Sequence, residues 1–149
     1  VSTDLRVRVA TAADDVAVAT LLTDAYQGTG VPLLERAEDV AARRQQGLVI
    51  VVERLGWLVA TCTLAPRQAT PGAMLLSRFA VHPTAQRQGI GNDVLKELVA
   101  LLVARGVTTV AGFSLHQMQT AHRLYQRLGA HPTHYAHGTH YELNLIARP

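Results

Sequence analysis

The chain has 149 residues, 48% hydrophobic and 17% charged, with 14 Lys and Arg against 11 Asp and Glu for a net charge of +3. That apolar balance argues against disorder, and the longest aliphatic runs, Leu48–Val52 and Leu98–Ala104, fall far short of the ~18 residues a membrane span needs. A single cysteine, Cys62, excludes an internal disulfide and a cysteine-built metal site. With no charged-then-apolar leader at the N-terminus the expected compartment is the cytoplasm, and the length predicts one domain over residues 1–149. The charge is divided unevenly. Residues 1–46 carry seven acids against five arginines, whereas residues 47–149 carry four acids against nine bases. A basic C-terminal half points to an anionic ligand on that side.

Leu5–Ala10 alternates apolar and basic residues, the mark of a half-buried strand. Thr11 offers an N-cap with Asp14 and Asp15 in the first turn, and Val16, Ala19, Leu22 and Tyr26 then fall on one helical stripe. The breaker Gly28-Thr29-Gly30-Val31-Pro32 ends that helix, and Leu33–Gln46 reads as a second one closed by Gly47. Leu48–Arg54 and Trp57–Leu64 are apolar, β-branched runs joined by Leu55-Gly56, which predicts a hairpin. Trp57 is expected to pack in the core or the hairpin, and Cys62 to be a buried, inert thiol. Ala73–Val81 is a further strand ended by His82-Pro83.

From Gly89 the pattern turns helical, with Ile90, Val94, Leu95, Leu98, Leu101 and Leu102 on a wide apolar face that ends at Arg105-Gly106. Val107–Leu115 reads as a strand. Gln119–Leu128 reads as a helix with Arg127 in its last turn and Gly129 beyond its end. Thr139–Ile146 closes the chain as a strand or hairpin.

The segment from Arg78 to Asn92 runs strand, proline-marked exit, glycine-containing turn, helix. Glycines at 89 and 91 let backbone approach a ligand without a Cβ in the way, and free amides at a helix start favour an anion. The segment fits neither GxxxxGK[ST] nor GxGxxG, since Asn92 and Val94 stand where the last glycine would fall.

Gln86-x-x-Gly89-x-Gly91 after Val81-His82-Pro83 resembles the central motif of the GCN5-related N-acetyltransferases (GNAT). Ala121-x-x-x-Tyr125-x-x-Leu128-Gly129 resembles the penultimate helix of the same family, and the element order agrees over nearly the whole chain. The resemblance implies an α/β fold with a mixed, mostly antiparallel, splayed sheet and helices on both faces. It also implies an acetyl-CoA-dependent acyltransferase acting on a primary amine of a small molecule or peptide. Phe79, Ala80 and Val81 then match the strand that pairs with the pantetheine arm. Gln86, Arg87, Gln88, Gly89, Ile90, Gly91 and Asn92 match the loop that holds the diphosphate. Tyr125 matches the tyrosine that protonates the departing thiolate, a reasonable task for a phenol beside the sulfur. Family members are often dimers, so a homodimer stays open.

Two positions depart from the family pattern. Met118 stands where an asparagine commonly contacts CoA, and Phe113 where many protein N-terminal acetyltransferases carry a glutamate. With Ser77 and Arg78 in the strand before the loop, the usual places for a general base are empty. His116 and Glu142 are the remaining candidates, unless the amine arrives neutral or water relays its proton. His131, His134, His137 and His140 recur every three residues, but Pro132 and Gly138 break any helix that would gather them, so no metal is expected. The acidic N-terminal half suggests that Asp24, Glu35 and Glu38 draw a cationic amine. The alternatives are a non-catalytic acyl-CoA-binding module, favoured by the missing base, and a nucleic-acid module. The one lysine and 5% aromatics argue against the second.

Overall fold

A computed structural model describes residues 4–67, 70–86 and 90–146. The strands are β1 (Leu5–Val9), β2 (Leu48–Arg54), β3 (Trp57–Pro66), β4 (Ala73–Val81), β5 (Thr109–Leu115), β6 (His131–His134) and β7 (Gly138–Asn144). They form one sheet in the order β1-β2-β3-β4-β5-β7-β6. Every neighbouring pair is antiparallel except β4 and β5, which run parallel. The helices are α1 (Asp15–Gln27), α2 (Ala37–Gln46), α3 (Pro83–Gln86), α4 (Gly91–Ala104) and α5 (Gln119–Leu128).

Alternation along the strands sends side chains to two cores. Ile50, Cys62, Leu64, Leu76, Val110 and Tyr141 meet α4 and α5 on one face. Val49, Val51 and Ala80 meet α1 and α2 on the other. Leu22, Ile50, Leu64, Val18 and Val40 are among the largest fully buried side chains, each worth roughly 1.5–3 kcal/mol for leaving water. Among the described residues no helix is long and apolar enough to cross a membrane.

The start of the chain is tied down by charge. Asp14 accepts the Thr11 amide at 2.8 Å, closing a short 3-10 turn before α1, and also takes two bonds from Arg8, at 2.8 and 2.9 Å. The Arg8 guanidinium holds the Asp14 carboxyl down from its ordinary 3.8 to about 2. Arg44 on α2 reaches Asp15 through two bonds of 2.7 and 2.8 Å and so clamps the two helices together.

Several expectations are corrected. Val16 is 69% exposed, because α1 begins at Asp15 and buries Val18, Ala19, Leu21 and Leu22 instead. The second helix starts at Ala37, not Leu33. Asp39 accepts the Arg36 amide at 3.0 Å, which fixes the N-cap there, and the extended stretch before it buries Glu35 against Arg43. Trp57 is 77% exposed rather than core, since it sits beside the two-residue turn Leu55-Gly56, where φ is +53° and +84°. The exit from β4 contains the short α3, and the chain closes as a hairpin in which β7 pairs with both β5 and β6.

Two features of β4 shape the centre of the molecule. Thr61 faces Ala80 and Thr63 faces Ser77, so Arg78 and Phe79 together oppose the single residue Cys62. This is a β-bulge, and Arg78 holds the left-handed φ of +52° that such an inserted residue adopts. Secondly, β4 and β5 pair only over Ala73–Leu75 and Thr109–Ala111. Beyond Leu75 and Ala111 the two strands part and leave a wedge open toward α5.

Candidate active site

Tyr125 stands in the wedge. It projects from the buried face of α5, is only 3% exposed, and stacks on Tyr141 with ring centroids 4.5 Å apart and planes 10° apart. Its hydroxyl lies over Gly112: a Cβ on Gly112 would come 1.9 Å from that oxygen. Only glycine leaves room for the phenol to reach the parting strands. Burial pushes the Tyr125 hydroxyl well above the ordinary range for tyrosine, so it keeps its proton throughout the neutral range.

The tyrosine pair is fixed from behind by His122, one turn earlier on α5. Its Nε2 bonds the Leu115 carbonyl at 2.8 Å and its Nδ1 meets the Tyr141 hydroxyl at 2.8 Å. A carbonyl only accepts, so Nε2 carries the proton, and in the neutral ring Nδ1 accepts from Tyr141. The resemblance of Ala121-x-x-x-Tyr125-x-x-Leu128-Gly129 to the family's helix pointed to Tyr125, but nothing in it singled out His122, whose partners lie on β5 and β7.

Three cavities adjoin one another through shared wall residues and together outline a channel. The innermost is lined by Tyr26, Ser77, Arg78, Phe113, Met118 and Tyr125, among others. The middle one, about 310 Å³, adds Asp24, Thr29, Ala80, Val81 and Gln86, and shares Phe79 and Met118 with the first. The outer one runs between α4 and α5 past Phe79, Val81, Gln86, Gly91, Asn92, Arg123 and Arg127. Gln86 donates from Nε2 to the Val81 carbonyl at 2.9 Å, which fastens α3 to the end of β4.

The outer end suits an anion. The first amides of α4 are free of intrahelical partners and carry the positive end of its dipole. Arg123 and Arg127, four residues apart on α5 and exposed, face the same space. A Cβ on Gly91 would come 2.9 Å from the Arg127 Nη1, so the helix start and the guanidinium are close neighbours. In sequence Arg127 reads only as a charge at a helix end. Its partner Arg123 at i−4 was the signal that the two share one face.

Of the residues expected at a cofactor site, Phe79, Ala80, Val81, Gln86, Gly91, Asn92 and Met118 line this channel with Tyr125. Ile90 is buried as the residue before α4 and supports the helix start without lining the channel. Arg87, Gln88 and Gly89 lie outside the described residues. The two base candidates do not join them. His116 is exposed with its Nε2 on the Ala136 carbonyl at 3.0 Å. Glu142 pairs with Arg67 at 3.0 Å, and because side chains alternate along β7 it faces away from Tyr141 and the tyrosine stack.

The acidic residues of the N-terminal half are also dispersed. Glu35 is buried in an ion pair with Arg43, Glu38 pairs with Arg36 at 3.2 Å, and only Asp24 reaches the channel wall. Among the described residues no group of three or more His, Cys, Asp or Glu could hold a metal ion. The histidines of the closing hairpin scatter, with His134 bonded to Thr139 at 3.1 Å and His140 3.9 Å from Glu142. Cys62 is 2% exposed, and burial pushes its thiol up to about 12, which leaves it inert.

A parallel pair parted around a tyrosine, a bulged central strand and a cationic helix start thus meet at one site. Residues 16–130 match the family model of the acetyltransferase (GNAT) family. The chain therefore belongs to the GNAT acetyltransferase family. No curated protein sequence matches it. Solved structures resemble it over almost their full length. An N-acetyltransferase from Staphylococcus aureus Mu50 is 18% identical at a TM-score of 0.74, covering 95% of this chain and 98% of that one. The putative acetyltransferase yncA from Salmonella typhimurium, solved with its cofactor acetyl-CoA, is 20% identical at a TM-score of 0.73, covering 98% and 96%. The PaiA N-acetyltransferase of Thermoplasma acidophilum, in complex with coenzyme A, is 14% identical at a TM-score of 0.72, covering 94% and 98%. At these identities the likeness is one of fold.

Proposed function

We propose that this protein transfers the acetyl group of acetyl-CoA to a primary amine by direct attack. The observation that carries the proposal is the Tyr125 hydroxyl held over Gly112 at the inner end of a channel that begins at the cationic start of α4. The channel fits the cofactor by chemistry. Arg123, Arg127 and the amides of Gly91 and Asn92 suit phosphates, and Phe79 and Val81 offer an apolar wall to the arm. Among the described residues the side of β4 that faces β5 has no strand partner beyond Leu75, so backbone groups pointing that way can hydrogen-bond an extended amide chain.

Bound acetyl-CoA supplies an activated acyl carbon. The amine nitrogen bonds to that carbon, the C–S bond breaks, and Tyr125 gives its proton to the leaving sulfur. The amine's surplus proton leaves through solvent and Tyr125 is recharged. Burial keeps the phenol protonated, so Tyr125 is in the form that can donate when the C–S bond breaks. Tyr125→Phe should lower kcat by roughly 10²-fold in a thiol-release assay with the acetyl-CoA KM little changed. A kcat within a factor of two of wild type would remove Tyr125 from the reaction. Among the described residues no acidic side chain lines the innermost cavity, an observation that favours one second reading, an acyl-CoA-binding module without catalysis. That reading requires acetyl-CoA binding with no thiol release for any amine.

A further inference from the structure

Among the described residues, one charged side chain lines the innermost cavity, Arg78. It occupies the bulge of β4, where φ is +52°, and the bulge turns it out of the regular alternation toward the parting of the strands. Its Nε lies 3.6 Å from Glu35 Oε2, too far for a hydrogen bond, and is buried without a hydrogen-bond partner. Glu35 is itself engaged by Arg43 from α2, with only 4% of its side chain exposed. Two guanidinium groups thus share one buried carboxylate and leave one positive charge unbalanced. Arg43 spends a further donor on Thr63 at 3.2 Å and faces the sheet. Arg78 keeps 40% of its side chain accessible, so the uncompensated charge belongs to the residue that lines the cavity.

The other walls supply nothing to neutralise it. Tyr26, Ser77, Ser114, Phe113, Met118 and Tyr125 are neutral. Asp24, the acid on the wall of the adjoining cavity, is exposed and leans toward His82 at 3.9 Å. On the same cavity wall Phe113 is 50% exposed and offers apolar surface, its ring centroid 6.4 Å from that of Tyr135.

We propose that Arg78 binds a carboxylate on the acceptor, so that the amine acetylated here belongs to a small amino acid with an apolar side chain. This rests on the acetyltransferase reading above. A guanidinium fork matches a carboxylate, and a partly desolvated pairing of this kind is worth a large factor in binding. The proposal reverses the expectation that an acidic half of the chain attracts a plain cationic amine.

The test compares leucine, methionine and phenylalanine with their carboxamides as acceptors, by thiol release with acetyl-CoA and per fraction of neutral amine. The free carboxylates should have kcat/KM about 10- to 100-fold higher than the amides, the range of a charged hydrogen bond. In Arg78→Gln the carboxylate advantage should collapse through KM, and Arg78→Lys should restore part of it. The wild-type ratio stands alone as evidence if either variant fails to fold. Equal rates for acids and amides would overturn the inference. So would calorimetric binding of acetyl-CoA without thiol release from any of the three amino acids, while the cofactor site survives. Absence of acetyl-CoA binding would take down the acetyltransferase reading itself.

Discussion

Replacing Gly112 by alanine places a methyl group where the Tyr125 hydroxyl now lies. The new Cβ would come 1.9 Å from that oxygen and 2.8 Å from Cζ, against 3.4 Å for ordinary contact, so the hydroxyl must retreat by about 1.5 Å. The ring cannot simply swing aside, because it is stacked on Tyr141 and closed in by Leu76 and Phe79 in the same core. Overpacking of this kind costs about 1–3 kcal/mol. A misplacement near 1 Å of a reacting group costs about 10²-fold in rate. Gly112→Ala should therefore lose about 10²-fold in kcat, close to the loss in Tyr125→Phe, while the acetyl-CoA KM changes little. The assay is steady-state thiol release beside a urea unfolding curve. Cys62, buried with its thiol at about 12, adds no signal of its own to a thiol reagent. A kcat within a factor of two of wild type, with an unshifted unfolding midpoint, would refute the placement of the hydroxyl.

The absence of an acidic side chain from the innermost cavity among the described residues predicts that deprotonation of the acceptor itself governs the pH profile. The value of kcat/KM should rise about tenfold per pH unit until the amine's own pKa, and the break should move when amines of different basicity are compared. A break fixed between pH 5 and 8 for every amine would reveal an enzyme base. At the other end of the molecule, the Asp14 carboxyl held at about 2 by Arg8 contributes stability that is complete above its ordinary 3.8 and is lost as the pH falls toward 2. Asp14→Asn should lower stability by about 2 kcal/mol at pH 7. The gap from wild type should close near pH 2 in urea unfolding; a gap independent of pH would contradict the linkage.

Much of this architecture was legible because the chain is locally consistent. The alternation of Leu5–Val9, the apolar runs flanking Leu55-Gly56, and the apolar face of Val94, Leu95, Leu98 and Leu102 each demand the element they form. Tyr125 was legible for a different reason, the resemblance of Ala121-x-x-x-Tyr125-x-x-Leu128-Gly129 to a family motif. What escaped was set by contacts distant in sequence. The bulge at Arg78 depends on the register with Thr61 and Thr63; the late start of α2, by contrast, is set nearby, by the Asp39 cap on Arg36 and by Glu35 meeting Arg43. Trp57, expected in the core or the hairpin, stands at the hairpin and is exposed, because a residue beside the two-residue turn is left outside. His122 acquires its role only when β5 and β7 are in place. The acidic half of the chain failed as a guide because charge counted along a sequence says nothing of pairing. Glu35 is spent on Arg43, and Glu38 on Arg36.

The central claim is that the channel from the start of α4 to Tyr125 holds acetyl-CoA, and calorimetric titration of acetyl-CoA into wild type and Gly91→Val at matched salt tests it most directly. Among the described residues a Cβ at Gly91 meets only the flexible end of Arg127, at 2.9 Å, so the variant should fold and lose the space a diphosphate would need. The account predicts saturable binding to the wild type and none to Gly91→Val with its unfolding midpoint intact. Equal binding by both proteins would put the cofactor elsewhere, and no binding by either would leave the fold without the activity.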